Sequence, residues 1–538
     1  MSAEAMSCLT SISNGTRFAN VCPEDVSFGR DWRSSGSTSL GLLLVVTVYI
    51  VFHQYKFRNP KGPWVWPILG NMPDFIQNVH RLYDWMAEMQ LEHGGTVDLT
   101  FFFPFGDLQK VNTARPENVE YITQTHHENF IKSDQNMDLF RELLGHGIFN
   151  TNGERWRIQR KIIAPMFTMV VLRESTLPLL RSGLETKLLP IVKEGAETGM
   201  VMDLQQILFR FGFDSVCGTV LGLDPKSLAK GFPSVPFAEA WDTVTSTNQE
   251  RCFTPKFIWQ IKRALQVGSE GRFLKALKVV DETITKTIKA RRAQLEQGIG
   301  LERLDLLTKF MKLSDEEGKS PDDQFLRDTT TNMLLAGRDT VSMQVNWFLW
   351  LVTQHPEVEA NIVKELNEIK LQRSPERQQD ATFSFVELGK MTYLHAALNE
   401  AARLYPSLPW DFRFAVEDDV LPDGVKVKKD QGVIWSMYTM GRMPELWGDD
   451  CLEFKPERWF DGHGGLKTVS PLKFSAFSSG PRNCFGKDLA YLFMKSVSAA
   501  LLSQYSIQLA PGHKVQYALS IILLMEKGLP VTFHARLK

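Results

Sequence analysis

Ten residues near the C-terminus carry the most specific chemistry of the chain: Phe477-Ser-Ser-Gly480-Pro-Arg482-Asn-Cys484-Phe-Gly486. One thiol lies between two glycines, with an arginine two positions before it. Glycine adopts positive φ readily and lets the backbone pass close to a bulky planar ligand. A helix-like run over 487–495 follows directly. Its unpaired N–H groups and positive dipole end favour a thiolate over a thiol. The arginine can hold a carboxylate in a bidentate pair. A lone free cysteine usually packs as a small hydrophobe. The joint spacing of Phe477, Gly480, Arg482, Cys484 and Gly486 argues instead for a thiolate ligand beside an acid-binding guanidinium.

Three further constellations bear on the same chemistry. Ala336-Gly337-Arg338-Asp339-Thr340 sits inside the longest helical pattern, 328–354. Glycine within a helix costs about 1 kcal/mol against alanine, so Gly337 suggests a kink or a close approach. An acid beside a hydroxyl there can relay protons to a bound molecule. The plainer reading is a surface Asp and a Thr bonded to an earlier carbonyl. Glu400 and Arg403 share one face of a largely apolar helix, and Pro456-Glu-Arg458-Trp459 supplies a second arginine. Trp156 and Arg160, four apart, present an indole and a guanidinium, both hydrogen-bond donors.

The cysteine loop matches without a gap the pattern Phe-x-x-Gly-x-Arg-x-Cys-x-Gly of the haem-thiolate monooxygenases, and the chain resembles this cytochrome P-450 superfamily over about residues 60 to 535. The resemblance implies a mainly α fold with a small β-sheet region near its N-terminal side. It implies haem b held non-covalently, with Cys484 as the axial ligand of the iron and Phe477 and Gly486 shaping the loop. Arg482, Trp156 and Arg160, with Arg413 as a further candidate, would bind the propionates. Asp339 and Thr340 would serve oxygen activation, while Glu400, Arg403 and Arg458 would form a structural triad supporting the loop. Electrons would come from NADPH through a separate NADPH–cytochrome P-450 reductase, since no Gly-x-Gly-x-x-Gly unit for dinucleotide binding occurs. Arg155, Arg157, Lys161, Lys487 and Lys495 are candidates for a basic face that docks it. One atom of O2 would enter a C–H bond of a lipophilic substrate. Two rivals stay on the same fold: a reductase-independent fatty-acid hydroperoxide isomerase or dehydratase, and a non-enzymatic haem protein.

Within the superfamily, four segments look most like the eukaryotic fatty-acid ω-hydroxylase branch: 336–340, 420–424, 438–443 and 486–491. Pocket walls are expected from 237–247, 332–340, 408–412 and 519–524, all largely apolar, as an alkyl chain requires. Trp410, Phe412 and Ile522 are candidates for a constriction that presents only the chain end. Asp411 departs from that pattern and is a candidate partner for a polar substrate group. The branch that attaches haem covalently carries Glu where this chain has Ala336, so non-covalent haem is expected. Sterol or terpenoid hydroxylation is the alternative.

Composition sets the outer bounds. The 538 residues are 43% apolar and 23% charged with a net charge of −1, which excludes nucleic acid as a bulk electrostatic partner. Six scattered cysteines with no Cys-x-x-Cys pair make neither a disulfide framework nor a zinc or iron–sulfur site. His126 and His127, beside Glu128, read as solvated helix-end residues. About twenty uncharged residues between Arg33 and Lys56 have an apolar heart over 40–52, long enough for a tilted span with its Ser/Thr flank. The prolines and glycines that follow read as a stiff spacer. The division expected is a lumenal tail (1–37), a transmembrane anchor (38–55), a hinge (56–71) and one catalytic domain (72–538). By resemblance this is a single-pass protein of the endoplasmic reticulum membrane with a cytosolic body; the charge bias across the anchor is slight. In the tail, Asn14-Gly-Thr16 is a glycosylation sequon, and Cys8 and Cys22 can pair in an oxidising lumen. Helical periodicity marks 79–93, 117–124, 156–167, 172–192, 204–220, 328–354, 357–369 and 394–403. Strand patterns mark 96–103, 108–112, 432–436 and 518–524.

Overall fold

The computed structural model describes residues 32–57, 61–103, 106–300, 302, 305–313 and 320–536. Cys8, Asn14 and Cys22 lie outside the described residues. The chain divides into two units, Met1–Asn59 and Pro60–Lys538. In the first, helix α1 (Trp32–Lys56) carries an apolar stretch over Leu40–Lys56 with Leu40, Leu44 and Val45 exposed. Among the described residues no single helix is both long and apolar enough to cross a membrane. A bent pair, Gly153–Phe167 with Met169–Thr198, is long and apolar enough by length and composition, but it buries Ile163, Leu184 and Leu188 in the second unit.

The second unit is mainly helical. In chain order its principal elements are α2 (Leu82–Glu92), β1 (Thr96–Phe103), β2 (Gly106–Thr113), β3 (Phe130–Ile131), α3 (Gly153–Ile163), β4 (Met202–Asp203) and α4 (Leu204–Leu221). There follow α5 (Pro236–Phe253), α6 (Lys256–Ala264), α7 (Gly268–Glu296), α8 (Asp323–Gln354), α9 (Pro356–Leu371) and α10 (Thr392–Leu404). The chain ends with β5 (Trp410–Ala415), β6 (Gly432–Ser436), α11 (Lys487–Leu502), β7 (Tyr505–Leu509) and β8 (Pro530–Ala535).

Helix α8 is the axis of the body. It begins at Asp322, whose carboxylate caps the Phe325 N–H at 2.7 Å. It contributes to two hydrophobic clusters, Phe348 and Leu351 to one, Met333 and Leu334 to the other. Most of its residues are buried, polar ones such as Asp328, Asn332 and Asn346 along with the apolar ones. Of the kink or close approach expected at Gly337, a close approach is seen: α8 continues through it, and a methyl there would fall 2.9 Å from Val216 Cγ2 of α4. Gly212 of α4 answers it, a methyl there meeting the Ser342 hydroxyl of α8.

The main sheet has the order β1-β2-β6-β5-β3, with β2 and β6 parallel and the other pairs antiparallel. It is therefore built from both halves of the chain and not from the N-terminal side alone. A second sheet joins β4, β8 and β7. Segment 518–524, read as a strand, is irregular and closed by a single bridge between Tyr517 and Met525. Its backbone is satisfied elsewhere, with Leu523 N–H donating to Ser407 O at 3.0 Å and Trp347 Nε1 donating to Leu523 O at 2.6 Å. From Lys61 onward the Pro/Gly-rich stretch is pinned to the body and is no free spacer. Buried Asn71 accepts the Thr100 N–H at 2.8 Å and donates to Trp64 O at 3.0 Å.

Candidate active site

The cysteine loop is built by two backbone constraints. Gly480 has φ +70° and its Cα lies against the Thr123 carbonyl, where a methyl group would overlap the oxygen. Only glycine meets both conditions. The Cys484 N–H then donates to Phe477 O at 2.9 Å, closing the loop. Gly486 differs from expectation: its φ is −83° and a methyl there would make ordinary contact, 3.8 Å from Cys484 Sγ. It is the residue preceding α11, which starts at Lys487. Cys484 is exposed, its side chain opening on a large cavity. Burial pushes its thiol up, against the opposing pull of the Gly486 N–H, Arg160 and Lys487.

Beside the loop stands a group of cations, Arg413 buried and Arg482 and Lys132 half-buried. Arg482 donates to Thr151 O at 3.2 and 3.3 Å and to Asn152 Oδ1 at 3.1 Å, all uncharged acceptors, with its guanidinium 4.4 Å from the Trp156 ring centre. Burial, then the nearby Arg413, lowers its pKa to about 10. Lys132, just past β3, donates to Phe149 O; burial, then Arg413 and Arg482, lowers its pKa to about 7. Arg413 pairs with Asp411 at 2.8 Å. Asp411 is thus engaged by its own strand rather than free for a substrate. Arg160 is turned to the loop, donating to Asn483 O at 2.9 Å and to the Asn483 side chain.

Helix α8 forms the facing wall through Met333, Ala336, Gly337 and Thr340. The Thr340 hydroxyl donates to Ala336 O at 2.7 Å, which leaves its lone pairs to accept from the cavity side. Asp339 is not on that wall. It is buried 3.4 Å from Arg338, which also pairs with Asp242 at 2.5 Å, and burial pushes its carboxyl up despite Arg338. Adjacent helical residues point about 100° apart, so Asp339 and Thr340 cannot share a face.

Glu400, Arg403 and Arg458 meet as expected. Glu400 accepts from Arg403 Nε and Nη2 at 2.8 and 2.7 Å, Arg458 Nε at 2.9 Å, Trp459 Nε1 at 2.9 Å and the Lys455 N–H at 3.1 Å. Arg403 spends its remaining donors on the carbonyls of Gly441, Cys451 and Glu453. Aromatic contacts carry the cluster to the loop: Trp459 to Phe474 at 4.8 Å, Phe474 to Phe477 at 6.4 Å, Phe477 to Tyr491 at 5.3 Å.

The cavity has a volume of about 1560 Å³. Trp410, Phe412, Ala336, Phe477 and Cys484 line it, and so do Trp156, Arg160, Arg413 and Arg482. Ile522 does not; it packs in the core and Ile521 takes the wall, because 518–524 lacks strand alternation. None of 237–247 reaches the cavity, Phe237 packing on Phe213 at 5.2 Å; the end of α5 and the start of α6 line it instead.

The family model described as Cytochrome P450 matches residues 60–533. The chain belongs to the cytochrome P450 family. It is 39% identical over 505 residues to Cytochrome P450 86B1 of Arabidopsis thaliana, covering 92% of this chain and 90% of that protein. Cytochrome P450 94B3 of the same plant is 37% identical over 87% of this chain and 92% of its own. A protein named noroxomaritidine synthase from Narcissus aff. pseudonarcissus MK-2014 is 35% identical over 92% of this chain and 96% of its own. P450 membership makes the protein a monooxygenase, and it implies haem b and an electron-donating reductase.

The residues present fit that cofactor. Lys132, Arg413 and Arg482 stand against one carboxylate, Asp411, among the described residues, a surplus that two propionates would neutralise. Lys132 has no spacing signal in the sequence, because strand β3 brings it to Arg413 and Arg482 from far along the chain. Among the described residues no cluster of His, Cys, Asp and Glu suits a free metal ion, and His127 merely bonds Gln124 O at 2.9 Å. Of the five candidates for a basic face, Arg155, Arg157, Lys161 and Lys487 are exposed. Lys495 is buried and donates to Leu388 O at 2.9 Å, and Arg157 is paired with Glu128 and Glu154.

Proposed function

We propose that this P450 is a membrane-anchored ω-hydroxylase of medium- to long-chain fatty acids, with haem b bound non-covalently through Cys484. One observation carries the reading: a single cavity joins Cys484 and Thr340 to walls of Phe75, Phe101, Phe412 and Phe414, room for a planar cofactor and a long apolar chain together. Bound haem would supply oxygen activation. The chain's own residues do the rest. Lys132, Arg413 and Arg482 hold the propionates, Trp156 keeps Arg482 in place, and Trp410 and Phe412 restrict which carbon advances. Ala336 offers no carboxyl for a covalent link. The Thr340 hydroxyl accepts and passes a proton at its oxygen, while Asp339 fixes Arg338 behind it.

The test is reconstitution with reductase, NADPH and a panel of fatty acids. ω-Hydroxy products are expected; turnover of a sterol or terpene with no fatty-acid product selects the alternative reading. Thr340→Ala is expected to keep consuming NADPH while product falls roughly a hundredfold and peroxide rises. Unchanged coupling would remove Thr340 from proton delivery.

Two features support a membrane. Helix α1 has 25 residues, about 37 Å of helix, a length matching a hydrocarbon core, with its apolar stretch over Leu40–Lys56. The second unit exposes Trp64, Trp66, Ile68 and Leu69, and on α6 Phe257 and Ile261 beside Lys262 and Arg263. We place the anchor in the endoplasmic reticulum with a cytosolic body, where Arg155, Lys161 and Lys487 meet the acidic reductase.

A further inference from the structure

One wall of the cavity is a row of side chains across the main sheet. Leu99 pairs with Lys110, Lys110 with Gly432, Gly432 with Phe414 and Phe414 with Ile131. Leu99, Lys110, Gly432 and Phe414 all line the cavity. Gly432 leaves its strand bare there: a methyl would stand 3.2 Å from Phe414 Cε1 and 3.6 Å from Lys110 Cγ, so ring and lysine stem close over it. Lys110 is the one cation in this row.

Its ammonium lacks a carboxylate partner among the described residues. The ionisable group that acts on it is Cys252, at the end of α5, whose thiol burial pushes up to about 12 and whose Sγ already donates to Asn248 O at 3.4 Å. A neutral thiol is no counter-ion. Nor does Lys110 belong to the propionate-binding group. Lys132 follows β3, three strand spacings from β2, roughly 14 Å. Burial lowers the Lys110 pKa, the cost of a cation held without an anion. The ligand that relieves this cost in an otherwise apolar wall carries one negative charge and a long apolar tail.

We propose that Lys110 is the carboxylate anchor of the acyl substrate, fixing its head at the sheet while the chain runs toward Thr340 and Cys484. The proposal rests on the fatty-acid reading above and adds how the terminal carbon is selected: with the head tethered, the acyl lengths that just reach Thr340 and Cys484 present their chain end.

Optical titration of the full-length haem-loaded enzyme with dodecanoate and with methyl dodecanoate tests it. Lys110→Met is expected to weaken dodecanoate binding about thirtyfold or more and leave the ester within twofold. Lys110→Arg should restore acid binding, and Lys110→Met products should spread to internal carbons. Lys110→Gln replaces the Met variant if that one fails to load haem. A loss of less than tenfold, or an equal loss for the ester, overturns the anchor while leaving the fatty-acid reading standing. A wild-type enzyme that binds neither acid nor ester overturns both.

Discussion

Cys484→His is expected to bind haem, lose the strongly red-shifted Soret band of the reduced carbonyl complex, and lose monooxygenation. The physical cause is the donor. A thiolate carries a full negative charge to the iron and pushes electron density toward O–O cleavage, whereas a neutral imidazole does not. Gly480 and the Cys484 N–H to Phe477 bond belong to the backbone and survive the change, so the loop should keep its shape. The Arg482 contacts to Thr151 and Asn152 are likewise untouched, so cofactor loading should persist. The reduced carbonyl spectrum is the measurement. A spectrum unchanged from wild type would show that another residue ligates the iron.

Glu400→Ala should cost about 3–5 kcal/mol, because it strands buried charges. Glu400 is 0% and Arg403 2% exposed, and the carboxylate accepts bonds from Arg403, Arg458, Trp459 and the Lys455 backbone. Arg458 keeps Asp450, but Arg403 keeps only carbonyls. A loss of that size is a large part of the 5–15 kcal/mol that typically holds a folded protein. The damage should reach the haem loop through Trp459, Phe474 and Phe477. The urea midpoint should fall, and much of the protein should emerge without thiolate-ligated haem. An unfolding midpoint equal to wild type with full haem loading would show that the triad is dispensable. Glu400→Gln, which keeps the shape and some of the bonds, should fall between.

Much of this site was legible because its residues are close in sequence. Phe477 to Gly486 is one loop, and its spacing alone named the chemistry. Glu400 with Arg403, and Trp156 with Arg160, lie within one helical turn, so periodicity places each pair on one face. Helix α7 was missed although Phe273, Ala276, Val280, Ile284 and Ile288 recur at three and four, because Lys, Thr and Arg dilute the pattern between them. The errors fall where contacts are distant. By resemblance its segment puts Ile522 in the wall, but that segment makes backbone bonds with Trp347 and Ser407 instead. Lys495 was assigned to a basic face, but α11 turns it toward the Leu388 carbonyl.

By itself the sequence determined the family, the cysteine, the long central helix and the mainly α class. These depend on local spacing and on 3.6-residue periodicity, which the backbone imposes wherever the chain is placed. Tertiary structure alone decided which side of α8 meets the cavity, leaving Thr340 on it and Asp339 behind. It gathered Lys132, Arg413 and Arg482 from three separate segments into one cation group. It also set Lys110 in a cavity wall, since the register of β2 follows from its pairing with β6, more than three hundred residues further along the chain. A charge's partner and a cavity's wall are properties of neighbours in space, and no local pattern encodes them.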